Sequence, residues 1–157
     1  MVSTLRACLL EGADRAKVVA DCVQLIEREV AEKSGLSGLA IKAALAVVKA
    51  VKPGILVEVV DHLIDPFVAR LEPFYEACTG AGAGSGVGVN QASSQLESHF
   101  TTRASQIANA LLGVTDDRAR ETPHATLRKA YEKLRPTGKK HVEQAVPKIA
   151  RVIARYI

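Results

Sequence analysis

Glu58, His62 and Asp65 set two carboxylates and an imidazole at i, i+4 and i+7. On a continuous helix that spacing brings all three to one face, where such groups bind a metal ion or move protons. Carboxylate-rich metal bundles also need a matching set from facing helices, commonly as Glu-x-x-His. The pair of that kind in this chain, Glu121 with His124, is broken by Pro123 at a helix start. Glu58, His62 and Asp65 are thus the metal candidates, and the expectation set against them is an exposed, partly self-paired helix end with no metal and no other cofactor.

The remaining chemistry-bearing residues are dispersed. His99, His124 and His141 complete no His-Glu-x-x-His and lie at no metal spacing from a cysteine. Glu27, Glu29 and Glu32 are interspersed with Arg28 and Lys33, the pattern of a solvated helix face. The run Thr79 to Asn90, TGAGAGSGVGVN, fails as a phosphate loop on parity. Both phosphate-cradling patterns need two glycines an odd interval apart, whereas Gly80, Gly82, Gly84, Gly86 and Gly88 all sit at even numbers. Ser85 has no glycine two residues to either side and makes no nucleophile elbow. The run reads as a flexible connection, and no catalytic residue is expected.

Two patterns bear on nucleic acid. Ala31, Gly35 and Ile41 match the core spacing of a helix-turn-helix, and VAEKSGLSGLAIKAALAVV is similar to the reading head of lac-type repressors. The base-facing positions would be Gly38, Leu39, Ala40 and Ala43, which donate and accept almost nothing at a base edge. A DNA-binding regulator is therefore the third-ranked function, and sequence-specific DNA is not an expected partner.

The second pattern is charge. The net charge of +4 conceals an asymmetry: residues 1–117 hold 10 Lys/Arg against 14 Asp/Glu, and residues 118–157 hold 11 against 3. In the last helix Lys140, Gln144, Lys148, Arg151 and Arg155 share an outward face, with Val142, Val146, Ile149, Ile153 and Tyr156 pointing mainly the other way. Arg128, Lys129, Lys133 and Arg135 on the helix before it, and Lys139 at the turn, add to the patch. Arg128, Lys129, Lys133, Lys139, Lys140, Lys148, Arg151 and Arg155 are the candidate residues for holding an acidic protein or an anionic polymer. The competing expectation is that they serve solubility, or dock against the acidic first three-quarters of the same chain.

The elements that must position these groups are helices, because apolar residues recur at helical spacing and no alternating β-branched run appears. The reading is an all-α, single-domain bundle of roughly eight short helices over residues 1–157. Layers 1–78 and 91–157 are joined by the glycine-rich connection 79–90. A short helix ends at Glu11-Gly12, and a second, capped by Asp14, ends at Ser34-Gly35. Ser37 caps a third, apolar almost all round except for Lys42 and Lys49, which is expected to be central and covered by its neighbours. Pro53 and Pro66 each open a further helix, with Pro73 a kink. A polar helix near Ser93 to Phe100 leads to another capped by Thr102; Pro123 opens the next, Pro136 precedes the last, and Pro147 bends it.

Cys8, Cys22 and Cys78, odd in number and without a Cys-x-x-Cys, read as buried thiols in a reducing compartment. No signal peptide is visible, so a cytoplasmic address is expected. The longest apolar region, Leu36 to Val51, falls short of the ~20 residues a bilayer span needs and carries two lysines.

With KSGLSGLAIKAALAVVKAVKPGI, ALLGVTDDRA and KAYEKLRPTGKKHVEQAVPKI in view, the chain resembles a family of small, uncharacterised bacterial proteins of about 150 residues. The resemblance spans most of the length apart from the glycine run. It implies an intracellular helical protein without assigned activity and carries over no site residues. The leading functional reading is a non-enzymatic helical binding or scaffold protein using its basic C-terminal surface. The alternative is a small-molecule carrier or enzyme with an apolar pocket between the central helix and the Phe67, Phe74 and Tyr75 face.

Overall fold

The computed structural model describes the backbone of residues 4–12, 14–81 and 89–157, and their side chains apart from those of 79–81 and 89–93. Among the described residues there are no strands. A π-helical turn, Ala7–Glu11, is followed by α1 (Arg15–Glu32), α2 (Gly35–Val51), α3 (Ile55–Ala81), α4 (Val89–Thr102), α5 (Ala104–Glu121) and α6 (Ala125–Ala154). The all-α expectation holds, with seven helical elements among the described residues in place of roughly eight short ones.

The count differs because helices continue through prolines. Pro66 and Pro73 lie inside α3, and Pro136 and Pro147 inside α6. An interior proline withdraws the N–H that the carbonyl four residues earlier would accept. At Pro66 that carbonyl belongs to His62, and the Arg118 guanidinium of α5 donates to it at 3.5 Å. The buried stripe Val60, Ile64, Val68, Leu71 and Tyr75 also runs unbroken past Pro66 and Pro73, so packing favours one helix over two.

Helix starts differ in detail. Asp14 caps α1 as expected, accepting the Ala16 N–H at 3.0 Å. Ser34, not Ser37, is the N-cap residue of α2, because Gly35 takes a left-handed φ of 76° and turns the chain there. Gly54, at φ 75°, makes the corresponding turn before α3, which begins two residues after Pro53. Thr102 does not cap α5, since its hydroxyl donates back to the Ser98 carbonyl and Arg103 occupies the junction. α3 runs to Ala81 and α4 starts at Val89, so both ends of the expected connection are helical; its middle, 82–88, lies outside the described residues.

α6 is the helix on which the others converge, packing on α5, α4, α2 and α1, while α3 packs on α5 and α1. Leu5, Val18, Leu96, Phe100, Ile107 and Val146 are the largest fully buried side chains, and they come from the opening segment, α1, α4, α5 and α6. Each contributes roughly 1.5–3 kcal/mol by leaving water. The opening segment is tied down as well: the Leu5 N–H donates to both oxygens of Glu72 on α3, at 3.0 and 2.7 Å.

The expectation that the third helix is central is overturned. α2 buries only Gly38, Ile41 and Ala44, none of which belongs to the main core cluster. Its other side faces solvent, with Leu36 88% and Leu39 65% exposed. An apolar helix must be covered by something, and the expectation supplied its cover from the same chain. The long α3 and α6 bury most of their apolar stripes against α1, α4 and α5, and α2, which packs on α6, buries only the face that holds Gly38, Ile41 and Ala44.

Candidate functional site

Two of the three metal candidates, Glu58 and Asp65, have their carboxylates engaged with cations. Lys52 Nζ lies 2.6 Å from Glu58 Oε2. Arg15 Nη2 lies 2.8 Å and Arg6 Nη1 3.3 Å from the two oxygens of Asp65, which hold its carboxyl below the usual range, the Arg15 hydrogen bond contributing most. Arg15 also reaches Asp61 Oδ1 at 3.0 Å. His62 is exposed and offers its backbone carbonyl, not its ring, to Arg118. Among the described residues no group of three or more His, Cys, Asp or Glu side chains is arranged to hold a metal ion. The carboxylates pair with basic residues outside α3, which differs from the partial self-pairing expected of this helix end.

The basic stripe does not stand free. Lys148 pairs with Glu29 and, at 2.8 Å, with Glu32 of α1. Arg151 meets Glu97 of α4 at 2.7 Å, and Arg155 lies 3.7 Å from Asp21 of α1. Gln144 accepts from Lys33 at 2.7 Å, and Lys139 is 3.9 Å from Glu143. The carboxylates of α1 and α4 that meet α6 all lie in the acidic first three-quarters of the chain. Arg128, Lys129, Lys133 and Lys140 are exposed and have no carboxylate within ion-pair distance among the described residues.

Two surface depressions have room for a ligand. One, of about 560 Å³ between α5 and α6, is lined by Arg120, Arg128, Arg135, Tyr131, Asp116 and Glu132, among others. Its polar groups are largely consumed locally. Arg135 bonds Asp116 through Nε at 2.8 Å and Nη2 at 3.2 Å, and Tyr131 donates to the same carboxylate. Asp116 is held below the ordinary carboxylate range by the Arg135 hydrogen bond in first place. Arg120 pairs with Asp117. The other depression, of about 440 Å³, is lined by Lys33, Ser34, Gly35, Leu36, Leu39 and Lys42 at the start of α2. Neither is lined by Phe67, Phe74 or Tyr75. Tyr75 is buried and the two phenylalanines pack against the core, so the face expected to line an apolar pocket is core packing.

The cysteines are partly buried and unbridged. Burial pushes the Cys22 thiol up to about 11, with Asp21 adding to the shift, which suppresses the reactive thiolate.

The surface that sequence reasoning missed is the outward side of α2. Leu36, Leu39, Ala43, Ala46 and Ala50 follow one another at intervals of three and four residues, flanked by Ala40 and Val47, and all seven are exposed. A 3-4-3-4 spacing of apolar residues is the seam of a helix that packs against another helix. The spacing was legible in the sequence; what was not legible is that the seam faces out. The helix-turn-helix positions fall on both sides of α2: Gly38 is buried, and Leu39, Ala40 and Ala43 lie in the exposed seam. Lys42 and Lys49 border the seam on one edge. Lys49 is paired with Glu27 at 2.8 Å, while Lys42 has no carboxylate partner among the described residues.

No helix among the described residues is long and apolar enough to cross a membrane. A family model described as a family of unknown function (DUF6918) matches residues 5–157. No curated protein and no solved structure matches the chain.

Proposed function

The chain belongs to this family of unknown function, and on that premise we propose that it is a non-enzymatic binding protein whose contact surface is the outward seam of α2 and whose partner is a helix of another protein. The observation that carries this reading is an apolar seam on a folded helix, with Leu36 88% and Leu39 65% exposed. Soluble folds seldom leave a contiguous apolar patch without a use for it. A mostly alanine seam lets a second backbone approach closely, which suits helix-on-helix packing.

The test uses a synthetic helix of about three heptads with a Leu/Ala seam and glutamine at its flanks. Fluorescence anisotropy should show it binding the full chain, and Leu36→Ser/Leu39→Ser should abolish binding while far-UV circular dichroism is unchanged. Absence of binding, or binding that survives the double substitution, overturns the proposal.

A second reading is favoured by the cations that have no carboxylate within ion-pair distance among the described residues. Lys129, Lys133 and Lys140 lie at i, i+4 and i+11 on α6, with Arg128 beside them, and could attract an anionic polymer or acidic protein. Here, Lys129→Glu/Lys133→Glu/Lys140→Glu should remove retention on heparin at low salt. Arg151→Gln, which alters a paired cation, should leave it nearly intact; equal losses would discard this reading.

A further inference from the structure

Resting on the reading of α2 as a docking helix, we propose that its partner is an acid-flanked amphipathic helix: one with a Leu/Ala seam and Asp or Glu along the edge that meets Lys42. Three independent features point to that chemistry. α2 contains no carboxylate from Gly35 to Val51, so nothing on the helix itself answers its lysines. Lys42 borders the seam with no carboxylate partner among the described residues, whereas Lys49, one heptad on, already has Glu27. Ser34, the N-cap residue of α2, makes no side-chain cap hydrogen bond, so it does not satisfy the first-turn N–H groups beside the depression lined by Leu36, Leu39 and Lys42. Uncapped N–H groups and the positive end of the helix dipole favour a carboxylate there. An incoming helix that places an apolar side chain between Leu36 and Leu39 would set an adjacent carboxylate between that first turn and Lys42.

The same features disfavour a second copy of the chain. Two α2 seams brought together antiparallel would face one Lys42-bearing edge with the other, and α2 holds no acid of its own to answer Lys42. A lipid surface is disfavoured by the seam's makeup, which is mostly alanine and has no aromatic residue to anchor in the interface.

The experiment compares three synthetic helices with the same seam and Glu, Gln or Lys at the flanks, by fluorescence anisotropy against the full chain at low salt. The Glu-flanked helix should bind roughly three- to tenfold tighter than the Gln-flanked one, the range expected of one exposed ion pair plus a helix-terminus charge. The Lys-flanked helix should bind weakest, and Lys42→Glu should reverse the order. Equal affinity for the three helices overturns the acidic preference while leaving the docking seam intact. Failure of all three to bind overturns both. A dimer in native mass spectrometry that dissociates on Leu39→Ser, or Leu39-dependent sedimentation with phosphatidylserine vesicles, identifies a different occupant and overturns the proposal.

Discussion

Gly38 shows how one missing side chain places α2. A Cβ there would lie 2.8 Å from the carbonyl carbon of Lys33, so the tight Lys33-Ser34-Gly35 turn leaves room for glycine alone. Gly38→Ala should therefore destabilise the fold by about 1–3 kcal/mol, the usual cost of an overpacked site, read as a lower urea midpoint with an unchanged slope. Carboxylates organise the neighbouring residues in a different way. The Glu29 side chain, 12% exposed, sits between Lys33 at 3.4 Å and Lys148, joining α1 to α6. Asp116 gathers Arg135 and Tyr131 at the α5–α6 contact. The abundance of charge near the C-terminus could be read from residue types, but not the pairings between helices, because apart from Lys33 each partner comes from an element more than a dozen residues away.

At the level of elements, α2 has two faces with opposite roles, and substitutions should separate them. Leu36→Ser and Leu39→Ser remove exposed side chains and should change stability by no more than about 0.5 kcal/mol. Ile41→Ala, on the buried face, should cost about 2–4 kcal/mol in thermal or urea unfolding. If all three substitutions are equally costly, α2 is covered in solution and its seam is not a contact surface. The helix pattern explains why this division escaped the sequence reading. A helix apolar on nearly all sides carries no internal mark of which side its own chain covers. Where one side is polar, as on α1, the pattern itself marks the covered side, and Val18 and Val19 are buried there. Helix ends were less legible at prolines, since an interior proline is tolerated when tertiary contacts such as Arg118 to the His62 carbonyl and the continuous stripe of α3 compensate for it.

Across the whole molecule, acid should weaken the fold in two stages. Burial, joined by Arg103 at His99 and by Lys33 and Lys140 at His141, pushes both imidazoles below their ordinary value; Glu29 opposes this at His141 but does not cancel it. Both ring nitrogens of His141 are buried without a hydrogen-bond partner among the described residues. The unfolded chain therefore binds these protons first. The stability they contribute is complete above about pH 6.5 and is lost as pH falls through their depressed folded values. Asp65 and Asp116, also depressed, lose their contribution at lower pH, below the ordinary carboxylate range of about 4. The melting temperature should thus fall between pH 7 and pH 5.5, and His99→Gln/His141→Gln should flatten that slope; an unchanged slope in the double variant would refute the assignment. The sequence alone determined that the chain is all-α, where α1 begins, and that its last quarter is basic, because helical periodicity, capping and charge are properties of neighbours in the chain. Only the tertiary structure decided which carboxylates of α1 and α4 meet the cations of α6, that prolines lie within single helices, and that the apolar seam of α2 faces outward. Each of those depends on how long-range packing distributes a limited set of covering surfaces among helices that all have apolar area to bury.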